Sequence, residues 1–215
     1  MHPSEKLREM YQEAELNDEL KPYLSVYNGI PMIKHPLIFS IFHTDIQNYI
    51  INKQYEWKKS AVKEALKKKN WGSYVFLHER PYRLVPAFSS ISQKLDSKTY
   101  WELLGEIWVD SENIWQNSDW WLYFLEDGPL ENKEYFMSEE DREEFKRLPE
   151  KLTVYRGYVP RKNKKGFSYT LSKEKATWFA NRFGSDGKVY KRQIDKKDVF
   201  AYKNDRNEQE IIILN

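Results

Sequence analysis

The sequence predicts an α+β fold, with helices gathered in the first 150 residues and a compact sheet carrying one packed helix after them. Three observations predict it. The hydrophobic period changes near residue 150 from helical spacing to short β-rich runs. The two kinds of segment do not alternate as a doubly wound fold requires. No internal repeat, low-complexity tract or Gly/Ser linker interrupts either part. The change of period separates an amino-terminal helical region, 1–150, from a β region, 151–215, the two expected to form one integrated domain. With 215 residues, 40% hydrophobic and 16% aromatic, the chain has the material for a core, which excludes intrinsic disorder despite 32% charged residues.

In the first region, Thr44 followed by Gln47 fits a capping box, and Ile46, Tyr49, Ile50, Trp57, Ala61 and Ala65 recur at helical spacing until Asn70, Trp71 and Gly72 break the pattern. Asp96 or Ser97 caps a second helix through Tyr100, Leu103, Leu104, Ile107 and Trp108. Ser138 with Asp141 resembles another box, leading to Phe145 and Leu148 before Pro149 stops the helix. Between these helices Trp115, Trp120, Trp121, Tyr123 and Phe124 are most simply core aromatics.

In the second region, Thr153 to Tyr158, Lys188 to Ile194, Asp198 to Tyr202 and Gln209 to Leu214 are rich in Val, Ile, Tyr and Phe and bounded by Gly, Asp, Asn or Pro, so at least four strands are expected. Ser172 caps a helix whose Ala176, Phe179, Ala180 and Phe183 form an i, i+3, i+4, i+7 stripe, with Glu174 in its first turn and Gly184 placed to end it. Trp178 lies off that stripe.

The chain has no cysteine, which excludes disulfides, thiolate metal sites and cysteine nucleophiles. His2, His35, His43 and His78 show no metal-ligand spacing, so no metal is expected. A polar start and the lack of any apolar run of about 18 residues predict a cytoplasmic protein with no membrane partner. The net charge of +2 conceals an asymmetry: residues 151–215 hold 16 basic against 7 acidic residues, and residues 1–150 hold 19 against 26. Nucleic acid, a pyrophosphate cofactor or an intramolecular partnership with the acidic region would each satisfy the basic third.

Three short pieces of that third carry chemistry together: Tyr155-Arg156-Gly157, Gly166-Phe167-Ser168-Tyr169-Thr170 and Glu208-Gln209-Glu210. A guanidinium grips phosphate bidentately, and Gly157 beside Arg156 lets a ligand approach the backbone. Glu208 and Glu210, two apart in a strand, project to one face. Cleavage of an N-glycosidic bond to ribose passes through an oxocarbenium-like transition state, which the Glu210 carboxylate can stabilise. Nicotinamide departs neutral from a pyridinium, so no acid is needed to protonate it. Glu208 is then free to hold an incoming guanidinium and draw off its proton, while Ser168 orients Glu210 or the ribose.

The Arg, Ser-x-Thr and Glu-x-Glu series resembles the arginine-serine-glutamate class of mono-ADP-ribosyltransferases. The resemblance covers residues 153–213 and extends to the helix ending Trp178-Phe179-Ala180; Tyr169 stands where the family usually has Thr. It implies an ADP-ribosyltransferase-like β core on which the amino-terminal helices pack, with NAD as substrate. It implies that Arg156 contacts the NAD phosphates, that Ser168 supports the site, that Glu210 is catalytic, and that Glu208 directs acceptor choice. Thr170 matches the last position of the family's Ser-Thr-Ser pattern, and Lys203 to Asn207 sit where the family places its target-recognition loop. A strand beyond the catalytic one is absent or supplied by earlier sequence. The acceptor is expected to be a protein arginine; water, making an NAD glycohydrolase, and RNA are the alternatives. A catalytically silent nucleic-acid-binding module is the reading from another class. The whole chain also resembles small bacteriophage and bacterial proteins, which implies an effector.

Three other clusters are weighed. His78-Glu79-Arg80-Pro81-Tyr82-Arg83 could hold the acceptor but is more simply an internal salt-bridge corner. Asp110, Glu112, Asn113 and Asn117 could bind a substrate or solvate a helix face. Lys162, Lys164 and Lys165 form a basic loop that could guide NAD or RNA, or serve only as a solvated turn.

Overall fold

The computed structural model describes residues 12–112, 114–160, 166–182, 184 and 186–214. Phe183 of the expected stripe, Asn113 and the Lys162–Lys165 loop lie outside the described residues. Helix and antiparallel sheet occur together, as an α+β fold requires, in two compact units, 1–93 and 94–215. The units part at 93/94, whereas the hydrophobic period changes at 150, because the helices between 97 and 147 pack with the sheet that follows them.

The first unit is not only helical. Its three-stranded antiparallel sheet runs β1 (Leu24–Tyr27), β2 (Ile30–His35) and β3 (Ile38–Ile41) in that order. Asn28 and Gly29 close the first hairpin at φ 50° and 78°, the left-handed pair that an Asn-Gly turn supplies. The capping box forms in both halves, with Thr44 and Gln47 satisfying each other's backbone amides before helix α1 (Asn48–Lys67). Of the expected apolar stripe only Ala65 is buried. Ile46 and Ile50 are exposed and Trp57 is 62% exposed, while Asn48, Ile51, Tyr55 and Ala65 are buried. Ile51 and Tyr55 pack with Leu16, Leu20, Ile33, Leu37 and Ile38 to form the core of this unit. A short helix α2 (Trp71–Phe76), capped by Asn70, and a run of helical turns over Arg83–Ile91 complete it.

The second unit opens with α3 (Ser97–Asp110), whose Asp96 cap accepts from the Thr99 amide at 3.0 Å. The expected stripe of Tyr100, Leu103, Leu104, Ile107 and Trp108 is buried throughout, joined by Trp101. Helix α4 (Ser118–Glu126) buries Trp121 and Phe124, but Trp115, Trp120 and Tyr123 are exposed, so only part of the aromatic run is core. Helix α5 (Glu139–Arg147) starts at the Ser138 cap and ends before Pro149. Each fully buried large side chain, such as Leu104, Leu125 or Ile211, contributes about 1.5–3 kcal/mol of transfer free energy.

The sheet of this unit contains β4 (Lys151–Tyr158), β5 (Ser168–Thr170), β6 (Lys188–Asp195), β7 (Ala201–Lys203) and β8 (Glu210–Ile212), ordered β6-β4-β5-β8-β7 and antiparallel throughout. The catalytic-strand candidate β8 therefore lies inside the sheet, its outer edge covered by the earlier strand β7. Helix α6 (Lys173–Asn181), capped by Ser172 as expected, lays Ala176 and Ala180 on β4. Gly157 makes that approach possible: a Cβ there would collide with the Ala176 carbonyl oxygen and lie 2.6 Å from the Ala180 amide nitrogen. Its small size therefore serves helix packing, a reason for a glycine that the sequence reading did not give, while Gly157 also lines the cleft described below. No helix among the described residues is long and apolar enough to cross a membrane.

Candidate active site

Register brings the motif residues together. Thr170 of β5 faces Tyr155 of β4 on one side and Glu210 of β8 on the other, and Glu210 faces Lys203 of β7. Strands β4 and β5 share only the Tyr155–Thr170 pair, so they part beyond it. Across that opening the Arg156 guanidinium donates to the Ser168 carbonyl, and Gly166 leaves it room, since a Cβ there would strike the guanidinium. A cleft of about 570 Å³ results, lined by Arg156, Gly157, Ser168, Thr170, Glu208 and Glu210 from the motifs. Trp108, Trp115, Trp178 and Lys203 line the same cleft, with Trp115 68% and Trp178 59% exposed.

Glu210 is held from two sides. The Trp108 indole Nε1–H donates to its Oε2 at 3.1 Å, and the Ser168 hydroxyl hydrogen-bonds the same carboxylate. Burial pushes this carboxyl above the usual carboxylate range; Ser168 and Trp108 work against the shift, and the Glu208 charge adds to it. Burial likewise disfavours the charge on Arg156, offset in part by Tyr169 and Glu210. Lys203 is buried beside Glu210, with Asp141 and Asp205 carboxylates at 3.9 and 3.8 Å from its Nζ.

Glu208 reaches the cleft by a route that strand alternation does not describe. Strand β8 begins at Glu210, and Gln209 adopts φ 49°, a left-handed conformation that breaks the expected alternation of the two carboxylates. The turn is fastened by hydrogen bonds: the Asn207 amide donates to the Asn204 carbonyl at 2.7 Å and the Gln209 amide to Asn204 Oδ1 at 3.1 Å. Asn204 in turn donates its amide to buried Asp141 of α5. The Thr170 hydroxyl donates to the Glu208 carbonyl at 2.6 Å and accepts from the Ser172 amide, so it joins this turn to the start of α6. Because Gln carries a steric cost at positive φ, Gln209→Gly is expected to melt at or above the wild-type temperature. Gln209→Val should lose about 1–2 kcal/mol; equal melting temperatures for the two variants would count against strain in the turn.

No family model, curated protein or solved structure matches this chain. The site thus rests on its own geometry. Within that geometry, Trp108 and Lys203 escape sequence reading. Trp108 counts as one more apolar residue of a helical stripe, and Lys203 as the start of the expected target-recognition segment; the fold instead makes Lys203 the last residue of β7 and sets both against Glu210.

Of the remaining clusters, the group at 110–117 contributes Glu112 to the cleft lining, whereas that at 78–83 belongs to the first unit. His78 is buried in the first unit, its Nδ1 bonded to the Tyr74 carbonyl and its own carbonyl accepting from Arg83 Nε, while Glu79 pairs with Lys58 at 2.6 Å. Burial lowers the His78 pKa, as suits a neutral ring in a structural corner. A wider hollow of about 840 Å³ in that unit is lined by Glu13, Glu15, Lys21 and Asp45 together with Leu16, Leu24 and Ile46 among the described residues, and holds none of the motif residues. Among the described residues, no group of three or more His, Asp or Glu side chains could hold a metal. The basic sheet and the acidic helices share one unit: residues 94–215 contain 22 basic and 23 acidic residues, so most of the asymmetry cancels within it.

Proposed function

We propose that the cleft of the second unit transfers ADP-ribose from NAD to an arginine of a protein acceptor. The observation that carries this reading is the convergence of Arg156, Ser168, Glu208 and Glu210 on one cleft, with Glu210 oriented by two hydrogen bonds. Arg156 binds the pyrophosphate as a fixed cation. As the bond between nicotinamide N1 and ribose C1′ breaks, its electron pair leaves with neutral nicotinamide, and positive charge develops on C1′ and the ring oxygen. The Glu210 carboxylate stabilises that charge. A guanidine nitrogen of the acceptor then forms the new C1′–N bond, and Glu208 accepts the proton it sheds. The near balance of charge in this unit weakens the motive for a nucleic-acid acceptor or a silent nucleic-acid module.

The test is incubation with labelled NAD and a cell lysate, wild type against Glu210→Ala, followed by identification of the labelled acceptor. Label retained on protein only with the wild type supports the reading; label on RNA, or free ADP-ribose alone, replaces the acceptor. Glu208→Gln is expected to lower transfer to protein at least about tenfold while nicotinamide release stays within about threefold. Equal loss of both activities would remove the division of labour between the two carboxylates.

A further inference from the structure

We infer that Trp108 is a positioning residue whose indole N–H fixes the Glu210 carboxylate in the cleft. The inference rests on the proposed function only in naming the reaction that the orientation serves.

The bond joins residues 102 apart in sequence, from the last turn of α3 to the first residue of β8. Helix α3 is firmly placed for this task. One turn before Trp108, a Cβ on Gly105 would collide with the Phe136 carbonyl oxygen and lie 3.0 Å from its carbon, so the helix approaches that backbone as closely as a glycine permits. The indole itself is enclosed edge-to-face by Trp121 at 4.9 Å and Phe136 at 5.9 Å, with Phe167 tilted against it at 6.4 Å. Such packing leaves the ring little freedom, and indole has one donor and no acceptor. Its single N–H is spent on Glu210 Oε2, while Ser168 approaches the same group from β5.

Core packing alone does not account for a tryptophan here, because phenylalanine would fill an aromatic cluster without bringing an N–H that needs a partner. The donor also matters electrostatically. Burial and Glu208 push the Glu210 carboxyl up; Ser168, Trp108 and the facing Lys203 of β7 hold it down. Arg156 of β4 feels the Glu210 charge, and Lys203 is itself flanked by Asp141 and Asp205 and acts on Glu106 of α3. Removing the indole N–H takes away one of the groups favouring the ionised form, so protonation should move to higher pH.

Trp108→Phe is therefore expected to lower kcat for nicotinamide release about tenfold, with KM for NAD within about twofold. The acidic limb of its pH profile should shift upward, and the smaller ring should lower the melting temperature without unfolding the protein. Unchanged kcat and an unmoved limb would overturn the inference. A second measurement requires neither turnover nor a Trp108 variant. In ¹⁵N-labelled wild type, the Trp108 indole resonance, assigned by its contacts to Trp121 and Phe136, should move as Glu210 titrates and should lose that response in Glu210→Gln. An indole resonance indifferent to both pH and Glu210→Gln overturns the inference. If wild type releases no nicotinamide yet the indole follows Glu210, the functional reading fails while the positioning stands.

Discussion

Glu210→Gln is expected to lower nicotinamide release about 10³-fold while NAD affinity stays within about threefold. The amide matches the carboxylate in shape, and its oxygen can still accept from Trp108 Nε1, so the cleft should keep its form. What is lost is the negative charge beside C1′, which matters only as positive charge develops there, and such an interaction appears in kcat rather than in binding. The same substitution should stabilise the fold at neutral pH. Burial raises the Glu210 pKa in the folded chain, so between the unfolded and folded values the folded state binds more protons, and stability falls as pH rises through that window. The amide has no such charge to keep. Melting temperatures of Glu210→Gln should exceed wild type at about pH 8 and converge with it towards about pH 3, where both states of the wild type are protonated. Wild-type turnover in the variant would sink the catalytic assignment; a melting curve that converges in the opposite direction would sink the assignment of burial as the cause.

The parts of the fold legible in the sequence are those whose signals are local and apolar. Strands β4, β6, β7 and β8 announce themselves through Val, Ile and Tyr runs bounded by turn residues, and the Asp96, Ser138 and Ser172 caps work as expected. Helix α1 is legible in extent but not in orientation. Its buried face includes Asn48 and Tyr55, whose polar atoms bond to the Ala14 carbonyl and to Glu19, and an apolar pattern gives such residues no weight. The helical reading of residues 1–150 missed the amino-terminal sheet: Asn28-Gly29 is its one local signal, and its strands are short with β1 largely exposed, so little periodicity marks them. The convergence of Arg156, Ser168 and Glu210 was readable from the order of three motifs. The path of Glu208 was not, because the left-handed Gln209 breaks alternation and glutamine carries no tendency to adopt that conformation. Trp108 and Lys203 became part of the site only through tertiary placement: 102 residues separate the indole from its acceptor, and no local pattern spans that distance.

Gly157→Ala is expected to destabilise the second unit by about 1–3 kcal/mol, because the new methyl meets backbone rather than a side chain that can swing aside. The atoms it would strike, the Ala176 carbonyl oxygen and the Ala180 amide nitrogen, belong to one face of α6, which would have to lift from β4. Gly187 offers an internal control. A Cβ there would also meet Ala180, lying 2.8 Å from its Cα, so Gly187→Ala presses on the same helix from another strand of chain. If both substitutions act by displacing α6, the second should cost less once the first has already moved it, and the double variant should lose less than the sum of the two. Displacement of α6 also carries Trp178 and Phe179 away from the cleft, so KM for NAD should rise in step with the fall in melting temperature. A role in ligand approach predicts a different outcome, a raised KM in a protein that melts as the wild type does. Thermal melts of the two single variants and the double variant, read beside KM, separate these cases, and a Gly157→Ala protein of undiminished stability would return the glycine to the ligand.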